Sequence, residues 1–338
     1  MRAPRSLDSK VAVTMLLALL ACKRSGGRTS YWTSACVPQG SEAVLVTGGD
    51  ESAELDLANG SVRQRKAEYR KAIGCRADGS VVESGIFSTV MGSTTAGVVA
   101  LHWSDPNSEL NWDRLVVDAP GTEPRSFELQ ASLFADIGSG HPAALTVKPA
   151  GLLHEDSAVV VAGYEPRTVA GRDATPTPFA FYSLDLSSGK ASRWGAVFPS
   201  ADIVHHHFAR QYAIARDGSV ALGVFGTENK LLAAGLTRDG SVGFRFPLDG
   251  AWEVQAAAVA QDGSRAAVGL TLSGGNSSHV DLIDMKSGAL VKRWPASPTP
   301  GRVHFLHFLK NGDLVLITSA RLAARLSPSG EVRWQQGS

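Results

Sequence analysis

The stretch "ARDGSVALGVF", Ala215–Phe225, sets Asp217-Gly218 between two apolar runs. Such a pair between short strands reads as a hairpin, because Asp and Gly accept the positive φ angles that a tight turn needs. The arrangement recurs in "RADGSVVESG" (Arg76–Gly85), "AQDGSRAAVGL" (Ala260–Leu270) and "LKNGDLVLIT" (Leu309–Thr318), with a weaker relative in "LHEDSAVVVAG" (Leu153–Gly163). Gly218 and Gly263 are 45 residues apart, and Gly263 and Gly312 are 49 apart.

A second turn interleaves with the first. It is a polar-Gly step that often leads to an aromatic residue, as in "LDLSSGKASRW" (Leu184–Trp194), "TRDGSVGFRF" (Thr237–Phe246), "IDMKSGALVKRW" (Ile283–Trp294) and "SPSGEVRW" (Ser327–Trp334), joined by "LDLANGSV" (Leu55–Val62). Gly189, Gly240, Gly288 and Gly330 follow one another at 51, 48 and 42 residues. One period of about 45 residues therefore holds two hairpins and four strands, the mark of a β-propeller blade. A lone blade cannot bury both faces, so neighbours must cover them and the ring must close. The expected fold is all-β: a propeller of six to eight four-stranded blades, with seven preferred. That count places second turns near Gly60, Asn107, Gly138, Gly189, Gly240, Gly288 and Gly330. The last blade reads as strands near His304–Leu309, Leu314–Thr318, Ala320–Leu326 and Glu331–Gln335. "EPRTVAGRDATPTP" (Glu165–Pro178) reads as a long loop, since its Pro and Gly break any strand.

The second turn resembles the repeat of the pyrroloquinoline-quinone-type and WD40-like propellers, in which an Asp, a Ser/Thr-Gly turn and a following Trp recur. That group includes quinoprotein alcohol dehydrogenases and a lipid-anchored propeller subunit of the outer-membrane assembly machinery. The resemblance covers about half the chain and implies a repeat type, not an activity. Many quinoprotein dehydrogenases set two adjacent cysteines against the quinone, and this chain has no Cys-Cys pair. No cofactor is therefore expected.

The N-terminus carries an address. Arg2, Arg5 and Lys10 precede a largely apolar run, Val11–Ala21, which is too short to span a bilayer and reads as an export signal. It ends in Leu19-Leu20-Ala21-Cys22, which resembles the lipobox of bacterial lipoproteins. The resemblance implies cleavage before Cys22 and lipidation there. The domains are then a signal at 1–21, a Gly/Ser/Arg-rich tether at 22–41 and a propeller at 42–338. Loss of residues 1–21 removes three basic side chains and one acidic one, which turns the formal charge from +1 to −1. Lys23 stands where an aspartate would retain a lipoprotein at the inner membrane, so the expected site is the outer membrane, on its periplasmic side or the cell surface. With Cys22 lipidated, Cys36 and Cys75 remain as a pair that an oxidising compartment would join, with two separate buried thiols as the alternative. Near-zero net charge gives no case for nucleic acid.

Walker A, G-x-S-x-G, H-E-x-x-H and EF-hand motifs are absent, so an enzyme is the less favoured reading. "DIVHHHFARQ" (Asp202–Gln211) holds the candidate ligand residues. Aligning Gly218 with Gly263 puts His207 where Trp252 falls, at the entry to an innermost strand. His205 and His207 would share a side there, and the imidazoles could meet a metal or an anion. No partner for a metal can be named, and a solvated loop is the plainer reading. His304 and His307 fall in the last blade's innermost strand with opposite parity, which argues against a joint site. Trp194, Trp294 and Trp334 read as packing between blades. The sequence thus leads to a membrane-anchored cell-envelope propeller that binds or scaffolds another envelope protein. The alternative is a small-ligand- or metal-binding receptor or enzyme with its site at the channel mouth, around His205, His207 and Trp252.

Overall fold

The computed structural model describes residues 32–337 apart from 39–40, 49–50, 66–72, 77, 84–87, 106, 109, 138–142, 167–177, 199–210, 228–229 and 273–276. They form seven consecutive antiparallel sheets. Blade 1 is β1 (Ser34–Cys36), β2 (Ala43–Gly48), β3 (Glu51–Asp56) and β4 (Val62–Arg65). Blade 2 has two strands, β5 (Ile73–Cys75) and β6 (Val81–Glu83). Blade 3 is β7 (Ser88–Thr94), β8 (Gly97–His102), β9 (Arg114–Asp118) and β10 (Arg125–Glu128), followed by a short 3-10 helix at Ala131–Ile137. Blade 4 is β11 (Ala143–Leu153), β12 (Ser157–Pro166), β13 (Phe179–Asp185) and β14 (Ala191–Arg193). Blade 5 is β15 (Gln211–Ile214), β16 (Val220–Thr227), β17 (Lys230–Thr237) and β18 (Val242–Leu248). Blade 6 is β19 (Ala251–Val259), β20 (Arg265–Leu272), β21 (Ser277–Asp284) and β22 (Leu290–Pro300). Blade 7 is β23 (Val303–Phe308), β24 (Leu314–Thr318), β25 (Ala323–Leu326) and β26 (Val332–Gln336).

The first strand of each sheet touches the next in the order β1, β5, β7, β11, β15, β19, β23, and β23 returns to β1. The chain is therefore an all-β propeller of six four-stranded blades, with the two-stranded sheet in the second place of the ring. The final blade follows the expected strands closely. One placement of the second turn is corrected. Blade 3 makes it at Gly121, between β9 and β10, while Asn107 lies between β8 and β9. Gly138 is outside the described residues. The fold also starts earlier than Glu42. Trp32 is buried and β1 lies inside the stretch expected to be tether, because blade 1 needs an innermost strand.

Both turns need glycine for two reasons. Gly60 has φ +75°, a left-handed backbone that side chains resist, and an added Cβ would sit 2.6 Å from the Trp334 ring. Gly218 has φ +71°, and its Cβ would meet Leu153 of the preceding blade at 2.6 Å. The turns are thus also contact points between blades. In the first turn the aspartate anchors the serine two residues on: Ser219 donates to Asp217 from its backbone N–H at 2.9 Å and its hydroxyl at 2.7 Å, and Ser264 repeats this with Asp262. In the second turn, Ser187 and Ser188 hold the Asp185 carboxylate well below the usual range. Both turns lie at the same end of a blade, since the Leu57, Leu186 and Met285 N–H groups donate to the carbonyls of Glu42, Asp156 and Ser264.

The core is a series of clusters between blades. Trp194 packs with Phe181, Tyr212 and Phe225 between blades 4 and 5. Trp294 packs with Leu282, Leu306 and Leu316 between blades 6 and 7. Trp334 packs with Val46, Leu55 and Ile317 between blades 7 and 1. The repeated tryptophan therefore serves blade packing. At that last junction Trp334 Nε1 donates to the Leu57 carbonyl at 2.8 Å, and Arg325 Nη1 donates to the same oxygen at 2.6 Å. Asp313, 2% exposed at its side chain, holds Arg325 at 2.7 Å. Arg321 pairs with Glu51 across the same junction. Cys36 and Cys75 are disulfide-bonded with Cα atoms 5.6 Å apart, which ties β1 to β5.

Truncating Arg325 leaves the buried Asp313 charge with only the longer contact to Arg333 at 3.7 Å and the Asn311 amide at 3.3 Å. Arg325→Met is expected to cost about 3 kcal/mol in a urea titration, and the double variant Asp313→Asn/Arg325→Met clearly less than the sum of its single changes.

Candidate functional site

The seven innermost strands surround a central channel with a cavity of about 1010 Å³. Its wall includes β1 and β5, Ser88–Ser93 of β7, Ala150–Leu152 of β11, Ala213–Ile214 of β15, Ala257–Val259 of β19 and the whole run from His304 to Asn311. Several of these strands carry a β-bulge. The register skips from Val90 to Gly92, from Pro149 to Gly151 and from Val303 to Phe305, and the skipped residues Met91, Ala150 and His304 all line the cavity.

The bulge at His304 overturns the parity argument, which assumed a regular strand. His304 and His307 line the same cavity, and the Phe305 and His307 rings lie 6.1 Å apart, nearly parallel. Burial pushes the His304 imidazole down to about 4, opposed by the Arg302 backbone. Burial pushes His307 down to about 4 as well, and the Arg216 cation adds to the effect. Both rings are neutral at pH 7, although each keeps some surface open to the channel.

One mouth is framed by the first-type turns, and hydrogen bonds stitch them together. The His154 N–H donates to the Arg216 carbonyl at 2.8 Å, and the Asp217 N–H to the Gln261 carbonyl at 3.2 Å. Thr95 N–H donates to Glu155 Oε2 at 3.3 Å, and Arg216 Nη2 meets Glu155 Oε1 at 2.6 Å. Arg216, Gln261 and Lys310 each stand immediately before the Asp-Gly or Asn-Gly pair of blades 5, 6 and 7, and all three line the cavity. The sequence reading passed over them because it assigned those turns to backbone geometry alone. Their signal was the repeated place, one residue before each turn.

His205, His207 and Cys22 lie outside the described residues. Trp252 sits in β19 at a bulge between Ala251 and Glu253, and only its backbone is described. Among the described residues no group of three or more His, Cys, Asp or Glu is placed to hold a metal ion.

No known protein family matches the sequence, and no curated protein is similar to it. Solved structures with a similar course of chain include Hsv2 of Kluyveromyces lactis, at 10% identity over 90% of this chain and 98% of that one, with a TM-score of 0.48. Sqt1 of Chaetomium thermophilum, bound to the N-terminus of the ribosomal protein L10, covers 92% of this chain and 75% of its own at 12% identity, with a TM-score of 0.44. Hydrazine synthase of Kuenenia stuttgartiensis covers 88% of this chain and 76% of its own at 11% identity, with a TM-score of 0.42.

Both channel histidines make folding sensitive to acid. Their folded values are about 4 against 6.5 for a free imidazole, so between those pH values the unfolded chain binds more protons. Stability is full above about pH 6.5 and falls as the pH drops toward 4. Urea titrations at pH 7 and pH 5 should differ by about 4 kcal/mol, about 2 from each ring, and the gap should shrink in His304→Gln/His307→Gln.

Proposed function

We propose that this protein is a lipid-anchored propeller of the cell envelope that holds a protein partner by adding one of the partner's strands to blade 2. The observation that carries the reading is the two-stranded sheet β5–β6 between four-stranded neighbours. Only residues 84–87 separate β6 from β7, too few to supply two further strands. The outer edge of β6 therefore lies about 10 Å inside the rim that its neighbours define, two strand spacings in. Among the described residues no strand but β5 pairs with β6, and an extended segment of another protein could pair with its outer edge through backbone donors and acceptors. Val81 and Val82 on this strand are half-buried, so an incoming strand would find apolar as well as polar contacts. The recess also limits the edge to a single extended segment rather than a whole sheet. Anchoring rests on Leu19–Cys22, and the outer membrane on Lys23.

A photoreactive residue at Val82 should give one discrete protein adduct in intact cells. The same residue at Val332, on the exposed outer strand of blade 7, should give none. Identical adducts from both positions, or none from either, would remove the strand-addition reading. Cys22→Ser should abolish incorporation of labelled fatty acid and release the protein from the membrane fraction. Retention of label would contradict the anchor.

A further inference from the structure

We propose that the channel mouth framed by the Asp/Asn-Gly turns binds a small polyanion, a molecule with two or more carboxylate or phosphate groups. The argument is independent of strand addition at β6. It starts from the charges on the cavity wall: Arg216, Lys310 and Arg325 are cationic, and Glu42 is the one carboxylate among the described lining residues.

The three cations are not equivalent. Arg325 spends its guanidinium on Asp313 and the Leu57 carbonyl, so it belongs to ring closure. Arg216 pairs with Glu155, whose side chain is 49% exposed, donates from Nε to the His154 carbonyl at 3.1 Å, and lines the cavity. Lys310 is exposed and makes no ion pair among the described residues. Arg216 is shared between Glu155 and the cavity wall, whereas Lys310 lines the cavity with no carboxylate paired to it among the described residues.

Their positions are fixed rather than incidental. Arg216, Gln261 and Lys310 occupy the same place in three consecutive blades, so their side chains leave the backbone along one arc of the mouth. Backbone bonds from His154 to Arg216 and from Asp217 to Gln261 fix the first two of these turns to their neighbours. An arc with a cation at each end and an amide between them suits a ligand whose negative groups are separated. A single-charge ion could meet only one end. Charge-assisted hydrogen bonds in a confined space are the strong ones, and the cavity of about 1010 Å³ leaves room for a metabolite-sized molecule. His304 and His307 lie on the same wall as neutral rings that do not oppose an anion. A divalent cation is the wrong guest here, since it would face two cations and no carboxylate cluster.

Isothermal titration of the purified full-length protein with citrate and with pyrophosphate, at fixed ionic strength and pH 7.5, tests the proposal. Saturable binding of either supports it, and the tighter of the two assigns carboxylate or phosphate as the group recognised. Lys310→Gln should weaken binding about tenfold, the scale of one charge-assisted contact, with no loss of thermal stability because the side chain is exposed. Glu42→Gln should tighten it several-fold. Arg216→Gln should also weaken it, and if that variant fails to fold the other two still decide. Absence of saturable binding with both anions, or affinity unchanged in Lys310→Gln, would overturn the proposal.

Discussion

The structure depends on one carbonyl oxygen. Leu57 O, in the second-type turn of the first blade, accepts a hydrogen bond from Trp334 and another from Arg325 of the last blade. Each blade is built from one contiguous stretch, so among the described residues no strand is shared between the two ends of the chain to lock the ring. Closure must come from side chains. Gly60 makes space for the Trp334 ring, Asp313 neutralises Arg325 from the inside, and Arg321 with Glu51 adds a pair at the surface. The disulfide then ties β1 of the closing blade to β5.

Closure is also what makes a site. Seven innermost strands enclose a channel only if the first and last lie side by side. The wall of that channel combines two kinds of residue. Repeated ones, such as Arg216, Gln261 and Lys310, arrive by virtue of the turn that follows them. Irregular ones, such as Met91 and His304, arrive because bulges push them off the ladder. The ring supplies rigidity, and departures from the repeat supply chemistry. The same holds at the rim, where the shortened second blade is the one interruption in an otherwise regular succession.

Most of the fold could be read from the sequence because hairpin turns have a strong local code. Asp217-Gly218, Asp262-Gly263 and Asn311-Gly312 each lie between the first two strands of a blade, and Gly189, Gly240, Gly288 and Gly330 between the last two. The reading failed where that code lapses. Gly121 in "PGTE" carries no Asp or Ser-Gly signature, so the turn between β9 and β10 was missed and second turns were placed at Asn107 and Gly138. Blade 2 was assumed complete because a missing strand pair leaves no mark except a short interval before Ser88. The candidate site was hardest to see. Bulges have no reliable sequence signal, so the parity of His304 and His307 could not be known. The value of Arg216 and Lys310 lies in which blades become neighbours, which local pattern does not encode. The histidines that draw the eye, His205 and His207, lie outside the described residues.

If closure is as secure as the junctions inside the chain, the two terminal blades should not open separately from the rest. Hydrogen exchange resolved to peptides measures this directly. The account predicts that the amides of β2 and β24 exchange as slowly as those of β16 and β20, with a common dependence on denaturant. Exchange of β2 and β24 through a separate opening of much lower free energy, with β16 and β20 still protected, would show that the ring is not held shut at Leu57.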